Sequence, residues 1–191
     1  MKIGIFGGCF NPPHNMHKNI SLQLINNHYL DKVIYVPTGT NYKKDGLITF
    51  NHRYNMLKLL TKNNNNLLVT DISNSNDYQY TYQVLDYFKE IYKDAEIYFI
   101  CGSDNLKELD TWKNYKYILT NYKLLVIKRN NDNIDNILEK YKKYSKNIII
   151  SNIKEEYISS TYIRNNLNKE EIKSLLDKNI YKYILTNRLY N

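Results

Sequence analysis

Apolar residues along the chain fall into two alternating patterns. Short runs of Ile, Val, Leu and Tyr recur at residues 3–6, 33–36, 67–70, 97–100, 124–127 and 148–150. Each run is brief and nearly continuous, as strands buried on both faces of a parallel sheet should be. Between them the apolar positions take helical spacing. Met16, Ile20 and Leu24 lie at i, i+4, i+8, and Val84, Leu85, Phe88, Ile91 and Tyr92 mark one helical face. All of these are read as core. From Ser160 the pattern is helical to the end, with Ile172, Leu175, Leu176, Ile180, Tyr183 and Ile184 as its apolar positions.

Strand–helix alternation of this length predicts an α/β domain with a parallel sheet and right-handed crossovers. The Asn-rich stretches 63–66 and 130–136 carry no periodicity and read as surface connections. No internal repeat and no linker stands out, so residues 1–191 are expected to form one domain.

Composition changes this picture little. Hydrophobic residues make up 42% and charged residues 24%, both ordinary for a soluble globular protein. No apolar run reaches the length of a membrane span. The apolar run at residues 3–6 is too short for a signal peptide, so a cytoplasmic protein is expected. Cys9 and Cys101 are too few for a disulfide framework and read as free thiols.

The formal charge of +8 raises the question of a nucleic-acid partner. However, Lys, Asn, Ile and Tyr are inflated together, with 20 Tyr against 5 Phe, and the basic residues are scattered. That is compositional bias rather than a basic face, and no RNA-module signature appears. A phosphate-rich small ligand suits the surplus charge equally well.

Ligands bind outside the carboxyl ends of the strands in such a sheet. Three irregular segments sit there: residues 7–17 after strand one, 37–44 after strand two and 102–104 after strand four. The first reads G-G-C-F-N-P-P-H-N-M-H. Gly7 and Gly8 admit an anion to backbone amides, and the prolines end the turn where a helix begins near His14. His14 and His17, at i and i+3, share the first turn of that helix and suit hydrogen bonding to phosphate oxygens. Two bland alternatives stand beside this: surface histidines without a role, and a zinc site. Cys9, His14 and His17 match no standard zinc spacing and lack a fourth ligand. Neither G-x-x-x-x-G-K-[ST] nor G-x-G-x-x-G is present.

The segment does resemble the G-[GS]-x-F-[DN]-P-x-H/T-x-x-H signature of the nucleotidyltransferase superfamily. Residues 158–164, I-S-S-T-Y-I-R, are similar to that superfamily's second signature, I-S-S-T-x-I-R. Here Ser159, Ser160 and Thr161 supply hydroxyls and cap the next helix, and Arg164 offers a planar fork to phosphate oxygens. Within the superfamily the chain resembles the nicotinate-nucleotide adenylyltransferases over about residues 1–190. Val36-Pro37-Thr38 with Lys43-Lys44 resembles their V-P-x…H-K loop, and Tyr80-Thr81-Tyr82 the start of Y-T-x-D-T. Residues 101–106 with Trp112 resemble I-G-A-D-x-L…W, and residues 181–190 their closing V-x-x-Y-I…L-Y. Five departures stand out: Cys9 for Ser or Thr, Asn11 for Asp, Met16 for Gly, Lys43 for His, and Gln83-Val84 for Asp-Thr.

The resemblance implies a Rossmann-like doubly wound parallel sheet of the nucleotidyltransferase type with a helical C-terminus. It implies transfer of AMP from ATP to nicotinate mononucleotide, with release of pyrophosphate and formation of deamido-NAD. The alternatives are another nucleotidyltransferase, acting on nicotinamide mononucleotide or phosphopantetheine, and a non-catalytic nucleotide or nucleic-acid binder. The absence of a Ser-His-Asp or Cys-His arrangement agrees with in-line attack without a covalent intermediate. Implied catalytic residues are His14, His17, Lys44 and Arg164. ATP is expected at Gly7, Gly8, Cys9, Phe10, His14, His17, Gly102, Asp104, Ser159, Ser160, Thr161 and Arg164. The mononucleotide is expected at Asn11, Lys44, Tyr80, Thr81, Trp112 and Lys113. Mg²⁺ is expected on the nucleotide phosphates and water, with no protein metal cage. No nucleic-acid or membrane partner is expected, and a homodimer is left open. If strand one abuts strand four, Cys9 and Cys101 end neighbouring strands beside the ligand.

Overall fold

The computed structural model describes residues 1–129, 132–153 and 158–190. Six parallel strands form one sheet: β1 (Lys2–Gly8), β2 (Lys32–Pro37), β3 (Leu67–Val69), β4 (Glu96–Gly102), β5 (Lys123–Ile127) and β6 (Ile148–Ile150). Their spatial order is β3-β2-β1-β4-β5-β6, so the progression of successive strands across the sheet reverses between β1 and β4. All six apolar runs of the sequence become strands. The expected abutment of strands one and four holds, with Phe6 opposite Ile100.

Period-two alternation sorts each strand's side chains between two cores. Ile3, Ile5, Ile34, Val36, Ile97, Phe99, Leu124 and Val126 point to one face. Val33, Tyr35, Tyr98, Ile100, Leu125 and Ile127 point to the other. Helices α1 (Asn15–Asn26) and α2 (Phe50–Thr61) cover the second face together with α7 (Ser160–Asn165), α8 (Ile172–Leu175) and α9 (Lys178–Thr186). Helices α3 (Thr81–Ile91), α4 (Ser103–Glu108), α5 (Tyr115–Asn121) and α6 (Ile134–Lys140) cover the first. Gly4, in the middle of β1, is a packing requirement: a Cβ there would run into Leu30 and Ile100.

Met16, Ile20 and Leu24 are buried along α1, and Val84, Leu85 and Phe88 along α3, as their spacing predicts. Two expectations need correction. The segment 130–136 is not all connection, because α6 begins at Ile134 and Asn133 caps it by accepting from the Asn136 N–H at 3.2 Å. Asn is among the best N-cap residues, and this run hid a helix start behind compositional bias. Residues 130 and 131 lie outside the described residues. Ile91, read as core on the α3 face, is instead exposed at the end of that helix. The expected helical C-terminus is present as α7, α8 and α9. Among the described residues, no helix is long and apolar enough to cross a membrane.

Candidate active site

The carboxyl ends of β1, β2, β4 and β5 open onto one cavity of about 850 Å³. Every residue named above as a site candidate borders it. Lys44 is part of its wall, and Lys43 is not among the residues that line it.

The first loop is shaped locally. β1 ends at Gly8, whose carbonyl accepts from the Thr38 N–H at 2.9 Å, tying the loop to the end of β2. Phe10 takes a left-handed backbone, φ 48°, and buries its ring. His14 is the N-cap of α1, and its backbone N–H donates to Nδ1 of His17 at 3.1 Å. That bond fixes the tautomer. A neutral His17 that accepts at Nδ1 carries its proton on Nε2.

The two imidazole rings stack, with centroids 3.8 Å apart and planes 31° apart. His17 also meets the Phe10 ring edge-to-face at 5.0 Å. Burial, reinforced by the Arg129 charge, takes His14 from an ordinary 6.5 down to about 3. His17 is held well below its usual range, by burial first and then by the His14 and Arg129 charges. Both rings are therefore neutral at pH 7. Among the described residues, Nδ1 of His14 is buried without a hydrogen-bond partner.

The second motif docks directly on the first. Ser159 caps α7 by accepting from the Tyr162 N–H at 3.0 Å. Ser160 Oγ donates to the Pro12 carbonyl at 2.9 Å, and Arg164 Nη1 donates to the Asn11 carbonyl at 2.7 Å. Arg164 Nη2 reaches Thr161 Oγ1 at 3.3 Å. Asn11 is a junction. Its Nδ2 donates to the Gly46 carbonyl at 2.8 Å, and its Oδ1 accepts from Tyr190 at 2.9 Å and from the Ile48 N–H at 3.4 Å.

These two halves bear directly on what the chain is related to. A family profile described as Cytidylyltransferase-like matches residues 5–166. A protein of Clostridium acetobutylicum named "Probable nicotinate-nucleotide adenylyltransferase" is 38% identical, covering 99% of this chain and 98% of that protein. One of the same name from Fusobacterium nucleatum is 40% identical, over 96% and 97%. The chain belongs to the nicotinate-nucleotide adenylyltransferase family. Its fold is that of the Plasmodium falciparum nicotinic acid mononucleotide adenylyltransferase complexed with NaAD, with a TM-score of 0.82 at 24% identity, covering 99% of this chain and 97% of that one.

In this family member the far end of the cavity is built on α3 and α4. Tyr80 is the N-cap of α3 and Thr81 its first residue. Trp112 is half-buried and packs edge-to-face on Phe99 at 5.7 Å. Lys113 holds its Nζ 5.2 Å from the centroid of the Tyr80 ring. Gly102 leaves room at the end of β4: a Cβ there would meet Asp104 Oδ1 and lie 2.8 Å from Arg129 Nε, so both side chains would have to shift. Those two groups form an ion pair at 3.1 Å.

Sequence reading missed Arg129, which borders the cavity. A signal existed, because Lys128-Arg129 follows β5 at the same carboxyl end as the other site segments. The thiols share the cavity but not their chemistry. Cys9 is half-buried, whereas Cys101 is buried and its thiol is pushed up to about 12 by burial, then by Asp104.

Proposed function

We infer that this chain transfers AMP from ATP to nicotinate mononucleotide, releasing pyrophosphate and forming deamido-NAD. One observation carries the reading. Residues 7–17 and 159–164 are stitched by the Ser160–Pro12 and Arg164–Asn11 hydrogen bonds into one wall of a cavity lined by cations and hydrogen-bond donors.

In this reading a phosphate oxygen of the mononucleotide attacks the α-phosphorus of ATP. The bond to the α–β bridging oxygen breaks, and its electron pair leaves with pyrophosphate. The attacking phosphate is already ionised at pH 7, so no general base is needed. In-line placement and charge neutralisation remain as the protein's task. His17 donates its Nε2 proton as a hydrogen bond to the phosphoryl group in transfer, while His14 and the backbone of residues 7–10 hold the triphosphate. Lys44 and Arg164 bind the β- and γ-phosphates, helped by Ser160 and Thr161. Gly102 and Asp104 line the adenosine side, with Arg129 pairing Asp104.

Trp112 stacks on the pyridine ring, with Tyr80 and Thr81 beside it. Lys113 is the cation at that end, which favours a carboxylate over a carboxamide. Asn11 acts at the mononucleotide side by fixing the backbone around it. The carboxylates of the wall are few, and Asp104 is paired with Arg129, so Mg²⁺ is assigned to the nucleotide phosphates and water. When bound it neutralises phosphate charge. We place the reaction in the cytoplasm.

Pyrophosphate release from ATP with nicotinate mononucleotide, and separately with nicotinamide mononucleotide, tests the reading. Equal yields of pyrophosphate and dinucleotide are expected with the nicotinate substrate. Release with neither would sink the assignment, and release with the nicotinamide form alone would reverse the substrate choice.

A further inference from the structure

Arg53, in α2, is 1% exposed and lies behind the cavity wall rather than in it. Its Nε donates to the Ile48 carbonyl at 3.1 Å. Nη1 donates to the Cys9 carbonyl at 3.0 Å and to Thr38 Oγ1 at 3.1 Å, and Nη2 to the Thr38 carbonyl at 2.7 Å. Every acceptor is neutral. Among the described residues no carboxylate forms an ion pair with it. The guanidinium also lies over the Phe50 ring, 5.7 Å from its centroid. Buried charges are ordinarily paired with an opposite charge, so a guanidinium held by carbonyls, a hydroxyl and a ring face is unusual.

The three segments it holds all belong to the site. Cys9 is in the first loop, and Thr38 and Ile48 are the two ends of the stretch that carries Lys44. Asn11 reinforces the second end through Gly46 and Ile48. Lys44 itself is exposed. Its reach is therefore set by where the ends of its stretch are fixed, and the rigid fork of Arg53 fixes them with one group.

We propose that Arg53 is a positioning residue for the transfer reaction: it locks the first loop to both ends of the Lys44 segment and keeps, beneath the phosphate-binding loops, a positive charge that no carboxylate of the described residues pairs. The inference rests on the adenylyl-transfer reading above. Anions entering the cavity compensate that charge across a single layer of backbone. Part of the stabilisation the protein gains from a bound polyphosphate then comes from a residue that never touches it.

Wild type, Arg53→Lys and Arg53→Met are compared by ligand-free Tm, by the rise in Tm with inorganic tripolyphosphate at constant ionic strength, and by kcat and KM for ATP. The Met variant is expected to lose most of the tripolyphosphate-induced rise and to raise KM about tenfold or more, a charged hydrogen-bond-scale effect. The Lys variant keeps the rise because it keeps the charge. Its kcat falls about tenfold, because a point ammonium cannot hold three segments at once. A packing role alone would shift ligand-free Tm and leave the rise and KM unchanged. That result in a folded Met variant, or no rise in the wild type, overturns the inference. If the Met variant does not fold, the Lys variant decides: wild-type kcat overturns the proposal, and a lowered kcat with the rise intact supports it. Absent turnover by the wild type would instead count against the transfer reading, since the tripolyphosphate measurement needs no catalysis.

Discussion

Arg164 donates from Nη1 to the carbonyl oxygen of Asn11 at 2.7 Å, joining positions 153 residues apart in the chain. One side chain thus fastens the two halves of the site and leaves further donors of its fork for a phosphate. Arg164→Lys keeps the charge but not the fork. We expect kcat/KM for ATP to fall by on the order of a hundredfold, with the loss in both kcat and KM. A Lys variant within threefold of wild type in steady-state assays would contradict the double role.

His17 is oriented by the N–H of His14 so that Nε2 carries the proton. Its interaction with the transferring group should be strongest in the transition state. His17→Ala is expected to lower kcat about a hundredfold or more with little change in KM. A change confined to KM would make His17 a ground-state contact only.

The buried histidines give the ligand-free protein a pH signature. His14 titrates near 6.5 when unfolded and at about 3 when folded. Between these values the unfolded chain binds the extra proton, so stability rises with pH through that window and is flat in this group above it. The slope is about 1.4 kcal/mol per pH unit for one such group. Urea denaturation at pH 7, 6 and 5 should show stability decreasing as the pH is lowered, and His14→Gln should have a shallower slope. Parallel slopes would show that His14 is not the group responsible.

Much of this is legible in the amino-acid sequence. Parallel strands are buried on both faces, so their apolar runs are continuous, and all six stood out. The first loop was legible because glycine, proline and histidine together suit backbone approach to an anion better than packing. Arg53 was not legible. In F-N-H-R-Y-N-M-L-K it reads as one more polar position on an amphipathic helix, and only the tertiary arrangement of Cys9, Thr38 and Ile48 buries it. The junction at Asn11 was hidden for the same reason, since its partners Gly46 and Tyr190 are 35 and 179 residues away.

Tyr190 closes that junction through its hydroxyl, so Tyr190→Phe should cost about 1 kcal/mol of stability by chemical denaturation. Asn11→Ala should cost more, because it strands the Gly46 carbonyl and the Ile48 N–H as well as the Tyr190 hydroxyl. A smaller loss in Asn11→Ala than in Tyr190→Phe would show that the junction does not hold the loop.

The two thiols should separate chemically. Cys101 is buried with its thiol pushed up to about 12, whereas Cys9 borders the cavity and is half-buried. A thiol-alkylating reagent at pH 8 is expected to label Cys9 and spare Cys101, with ATP slowing the labelling. Mass spectrometry of the modified peptides reads the outcome, and labelling at Cys101 first would contradict it.

The docking of residues 159–164 onto residues 11 and 12 also orders events during synthesis. Ribosomes add about 5–20 residues per second, so Arg164 follows Asn11 by on the order of ten to thirty seconds. Over that interval a nascent chain carries the glycine–histidine loop without its partner. It has no finished pocket with which to capture nucleotide, so binding competence arrives only after Arg164 has been made.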